Sequence, residues 1–95
     1  MQRQDYIEQI EGRIADLNAR LEKLQLQAKL AEMEYREDVQ AQIDRFQARR
    51  DELSETLEKL QKAGEDAWEE LRAGAELALE SMKDALQKAK SRFES

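Results

Sequence analysis

Carboxylates at Glu32, Glu34, Glu37 and Asp38 lie close enough in sequence to share a cation, and helical bundles can hold metals through inward-facing glutamates and histidines. This chain has no histidine and no cysteine. Oxygen ligands alone on a charged helix read as a solvated acidic face, so no metal and no cofactor are expected. The hydroxyls of Ser54, Thr56, Ser81, Ser91 and Ser95 have no imidazole to take their proton. A lysine or a carboxylate pair would need a concave pocket to shift its pKa, and thin helices seldom build one, so no enzyme is expected. Arg45, Arg49 and Arg50, with Arg36 nearby, form the densest basic patch, but Asp44, Asp51 and Glu52 neutralise it. A mixed-charge helix surface follows rather than a nucleic-acid site.

The elements that carry these residues are plain in the spacing. Ile7, Ile10, Ile14, Leu17, Leu21, Leu24, Ala28, Ala31 and Tyr35 recur at alternating steps of three and four, a heptad seam. Tyr35, Val39 and Ile43 follow at steps of four, and the seam resumes through Phe46, Leu53, Leu57 and Leu60 with its phase moved by one residue. With no proline anywhere and no glycine nearby, that shift reads as a loosened supercoil inside one continuous helix. Arg50 occupies a seam position, where a charge tends to fix register or oligomer state. Leu24, Leu26, Leu30 and Met33 widen the apolar face beyond two positions, which suits a bundle of three or four helices.

Toward the C-terminus the period changes. Trp68 to Leu79, Leu71 to Met82, Ala75 to Leu86 and Met82 to Phe93 are each eleven residues apart, the repeat of a nearly straight helix with one apolar side. Trp68, the one tryptophan, stands beside Leu71 and Ala75 at helical spacing and reads as a packing anchor. Gly64 suits a helix C-cap, and Asp66 with Glu69 resembles an N-cap with its acidic third residue. The pattern divides the chain into a long heptad helix at 1–63, a turn at 64–66 and a shorter amphipathic helix at 67–95. A single continuous helix is the other reading, because the seam runs through Gly64 without a slip.

The expected fold is all-α, a long helix and a shorter one forming a coiled-coil hairpin that associates into a helical bundle. A helix over residues 5–62 would be roughly 87 Å long, against roughly 42 Å for one over 66–93. Folding back at Gly64 would leave the stripe from Ile7 to Leu24 without a partner in its own chain. The seam residues from Ile7 to Tyr35 are therefore the expected oligomer interface, covered by a second copy in a homodimer or larger assembly. Phe46, Leu53, Leu57, Leu60, Trp68, Leu71, Met82, Leu86 and Phe93 are the expected helix-packing residues.

Charged residues make up 40% of the chain, so it can bury a stripe but not a sphere, and a net charge of −6 disfavours a phosphate backbone as partner. The N-terminal residues lack the apolar core of a signal peptide and no run could span a bilayer, so a soluble cytoplasmic protein is expected. Its partners would be further copies of itself and other helical proteins. Acid-before-base pairs four apart, Asp16 with Arg20, Glu32 with Arg36, Glu55 with Lys59, Glu58 with Lys62 and Asp84 with Lys88, would support the exposed faces. The basic amphipathic stretch from Met82 to Phe93 offers an alternative function: a peripheral membrane protein with Leu86 and Phe93 inserted and Lys83, Lys88, Lys90 and Arg92 among the headgroups.

The segment Gly64-Glu-Asp-Ala-Trp-Glu-Glu-Leu-Arg-Ala-Gly74, followed by residues 77–93 with Lys90-Ser91-Arg92-Phe93 near the end, resembles a family of small bacterial coiled-coil proteins. These are described as stress-response proteins of cyanobacteria and proteobacteria. Where the family often carries a second aromatic residue eleven positions after the tryptophan, this chain has Leu79. The resemblance implies a non-enzymatic helical protein linked to stress and supplies no binding residues.

Overall fold

The computed structural model describes residues 3–30 and 33–94, with side chains described at 3–30 and 36–92. Three helices of nearly equal length fill it: α1 (Arg3–Leu30), α2 (Met33–Lys62) and α3 (Glu65–Glu94). The expectation of a long helix followed by a short one is thus corrected, since the 1–63 segment holds two helices. The change of helix falls between Leu30 and Met33, ahead of the phase shift after Tyr35, which lies inside α2. The physical reason is coverage: reversing direction near residue 31 lets each apolar stripe find two others inside one chain.

Contacts at both ends and in the middle establish an up-down-up bundle. The Arg3 guanidinium at the start of α1 donates to the Gln61 carbonyl at the end of α2, at 3.2 Å, and Arg36 Nε donates to the Ala28 carbonyl, also at 3.2 Å. α3 returns antiparallel to α2, with Arg45 bound to Asp84 at 3.0 Å and Arg92 to Asp38 at 3.2 Å. α1 and α3 are therefore parallel neighbours. The molecule measures 49 × 18 × 18 Å, one helix long and a bundle wide.

The seams seen in the sequence are the core. Tyr6, Ile7, Ile10, Leu17, Leu21, Leu24 and Ala28 of α1 are buried with Val39, Ile43, Phe46, Leu53, Leu57 and Leu60 of α2 and with Leu79, Met82 and Leu86 of α3. Ile14, Trp68 and Leu71 pack against this core partly exposed. Small buried residues on α3, Ala75, Ala78, Ala85 and Ala89, let its backbone approach its neighbours closely. The stripe expected to require a second copy is thus covered within the chain from Ile7 to Ala28. The side chains of Ala31, Tyr35 and Phe93 lie outside those described.

The α2/α3 junction also departs from expectation. The break falls at Ala63 and Gly64, and α3 already begins at Glu65. Gly64 does not adopt the left-handed conformation of a C-cap. Instead its carbonyl accepts the first bonds of α3, from the amides of Ala67 at 3.2 Å and Trp68 at 3.1 Å, so it serves as the N-cap, a role glycine fills well. Asp66 lies within the first turn, where with Glu65 it complements the positive end of the helix dipole.

Two measurements check this architecture. Small-angle scattering should give a maximum dimension near 50 Å plus a hydration layer, whereas a hairpin on a 58-residue helix would exceed about 80 Å. Gly12 and Gly74 sit exposed inside α1 and α3 with open space where a Cβ would project. Gly12→Ala and Gly74→Ala should each stabilise the fold by about 1 kcal/mol in urea denaturation.

Candidate functional site

The reactive groups weighed in the sequence are dispersed by the fold. Among the described residues no group of acidic side chains is placed to hold a metal ion; Asp38 binds Arg92, and Glu37 faces solvent. Thr56 and Ser91 donate their hydroxyl hydrogens to carbonyls one turn back, those of Glu52 and Gln87, both at 2.9 Å. The arginine patch is pulled in three directions. Arg45 reaches Asp84 on α3, Arg49 reaches Glu52 on its own helix, and Arg50 donates to Asn18 Oδ1 of α1 at 2.9 Å while lying over the Phe46 ring. Arg50 accordingly ties the register of α2 to that of α1, a structural use of a charged seam residue.

Near the start of α1 an aromatic latch joins it to α3. Tyr6 and Trp68 meet edge to face with ring centroids 5.6 Å apart, and the Arg3 guanidinium lies 5.1 Å from the Trp68 ring. The Tyr6 hydroxyl donates to Glu76 Oε1 at 2.8 Å, and Arg13 approaches the other oxygen of that carboxylate at 3.8 Å. Burial, then the hydrogen bond to Glu76 and its negative charge, push the phenol up to about 12.

The opposite half of the same α1/α3 face is open. Arg20, Lys23, Leu24 and Gln27 of α1 and Lys83, Leu86, Gln87 and Lys90 of α3 line a cleft of about 580 Å³. Both walls use helical spacing over two turns, so parallel packing sets two similar ridges face to face. Four cations and no carboxylate line it, in a chain of net charge −6. Helix dipoles favour cations only near a C-terminus, within the last turn. Arg20 and Lys23 precede the end of α1, and Lys83 the end of α3, by seven residues or more. The dipole therefore does not account for these three, and among the described residues none of them forms an ion pair.

Sequence reasoning saw half of this site. Of Lys83, Lys88, Lys90 and Arg92, grouped in the sequence as one basic stretch, Lys88 turns to Asp84 at 3.2 Å and Arg92 to Asp38, while Lys83 and Lys90 line the cleft. Hydrogen bonds from Lys88 and then Arg45 hold the Asp84 carboxyl below its ordinary range. The ion pair expected between Asp16 and Arg20 does not form. Of the other expected pairs along one helix, Asp84 with Lys88 forms, Glu55 with Lys59 and Glu58 with Lys62 do not, and Glu32 lies outside the described residues. Such exposed pairs are worth only tenths of a kcal/mol, so water and cross-helix partners compete successfully.

Compared with family models, curated proteins and solved structures, the chain matches none.

The latch has a pH signature. A phenol whose pKa is raised in the folded state stabilises the fold fully below pH 10, and that contribution is lost as pH rises through about 12. Tyr6→Phe should cost about 1 kcal/mol at neutral pH for the lost hydrogen bond. The variant should then lose less stability than the parent between pH 10 and 12, read by denaturant titration at each pH.

Proposed function

We propose that this chain is a non-enzymatic helical interaction module of the cytoplasm, a compact bundle that presents charged faces to partner proteins. The observation that carries this reading is the division between its inside and outside. Among the described residues the core is built from hydrophobic residues, Tyr6 the one that brings a hydroxyl, and no charged residue is buried in it. Catalytic groups draw shifted pKa values from burial and close charge pairs in clefts. Here the charged groups among the described residues lie at the surface, where they are available for recognition. The resemblance of the last third to a stress-response family adds a link to stress as the setting in which the module works.

Self-association through the stripe starting at Ile7 is not part of this reading, because α2 and α3 already cover that stripe as far as Ala28. Insertion of α3 into lipid gains no support from the geometry either. Leu86 and Met82 are in the core and would have to leave it.

Site-specific photocrosslinking tests the proposal in the cells that make the protein. A benzophenone amino acid is placed singly at Gln27 and Gln87, on the two walls of the cleft, and at Glu55 and Glu70, exposed positions outside it. Discrete protein adducts are expected from at least one face. Absence of adducts at every position, with folded protein present, would overturn the reading.

A further inference from the structure

We infer that the cleft between α1 and α3 is a docking groove for an acidic amphipathic helix of a partner protein, which would lie over Leu24 and Leu86 as a fourth helix of the bundle. This rests on the interaction-module reading and specifies the partner.

Shape comes first. The cleft runs between parallel helices for two turns, about 10 Å, and a groove of that form is filled by another rod packing ridge into groove. Its floor is the edge of the core at Leu24 and Leu86, 5% and 7% exposed, and the aliphatic stems of the surrounding Arg and Lys side chains supply the rest of its apolar surface. Outside the cleft α1 exposes two further leucines. Leu30 is 90% exposed and follows Gln27 by three residues and Lys23 by seven, the same flank of α1 by helical spacing. Leu26, 62% exposed, is one turn before it. Single exposed leucines are ordinary, but Leu30 stands on the Lys23 flank of the cleft and adds apolar area that a helix lying there would cover.

Charge selects the occupant. Arg20 and Lys23 on one wall and Lys83 on the other flank the leucines, so a complementary helix carries a leucine stripe bordered by carboxylates on both sides, as in coiled-coil pairing. A nucleic acid would satisfy the cations but offer nothing to the leucines, and the chain's net charge of −6 repels it. An anionic membrane is flat and cannot reach a recessed floor. A second copy has no suitable helix to lend: the acidic start of α3, with Glu65, Asp66, Glu69 and Glu70, has Trp68 and Leu71 packed against its own core.

The test titrates the isotope-labelled full chain with a synthetic peptide of about 18 residues, long enough to form helix, with leucines at helical spacing flanked by glutamates. Its counterpart with lysine for glutamate, and vesicles of phosphatidylglycerol, are run in parallel. Saturable amide shifts confined to residues 20–30 and 83–90 are expected with the acidic peptide alone, weakening at high salt. Lys23→Glu with Lys83→Glu should weaken binding at least about tenfold, while Lys59→Glu with Lys62→Glu on α2 should leave it unchanged. Circular dichroism must show both variants as helical as the parent. No saturable shift, equal binding of the lysine peptide, unchanged affinity of the cleft variant, or a response to vesicles in place of peptide would each overturn the groove assignment. Photocrosslinks from a different face alongside any of these would leave the interaction module standing and remove only the groove.

Discussion

Mutual coverage of three apolar stripes is the constraint from which the rest of the structure follows. Each helix is about 30 residues long and carries one narrow face of Ile, Leu, Phe, Met or Ala, with charged residues around the rest. Neither a lone helix nor a hairpin of unequal arms hides all of that surface. Three helices of nearly equal length, each touching the other two, bury most of it within one chain, and at 49 Å the bundle is no longer than the helices require. The up-down-up path then makes α1 and α3 parallel neighbours, although they are separated in the chain by the whole of α2.

Register is held by polar contacts at the margin of that core. Arg50 with Asn18 links the middles of α1 and α2, Arg45 with Asp84 links α2 to α3, and the cluster of Arg3, Tyr6, Trp68 and Glu76 links α1 to α3 at one end. Each keeps a side exposed to water, so none carries the desolvation cost of a buried ion pair. The α1/α3 seam is consequently uneven. It is latched by aromatic rings and a carboxylate in one half and open between repelling cations in the other, where the positive lining stands against the acidic character of the whole chain.

Much of the core was legible in the sequence because helical periodicity is a local property. Ile7, Ile10, Leu17, Leu21 and Leu24, then Phe46, Leu53, Leu57 and Leu60, then Leu79, Met82 and Leu86 could be placed on buried faces from spacing alone. The glycine junction was legible to within two residues, though not its role, since cap geometry depends on which carbonyl starts the next helix. The change of helix between Leu30 and Met33 is not legible in the sequence. No proline or glycine marks it, and the three-four seam continues past it to Tyr35.

Composition, the absence of histidine and cysteine, and the three-four spacing of apolar residues determined by themselves that this protein is helical and stripe-cored, because those features act within a few turns of chain. Where the chain reverses, whether one copy can cover its own stripe, and which cations meet were decided only in three dimensions. Arg20 and Lys83 are 63 positions apart, and no local pattern says that they share a cleft. That juxtaposition follows from burying all three stripes at once, an energy that belongs to the whole chain and to no segment of it.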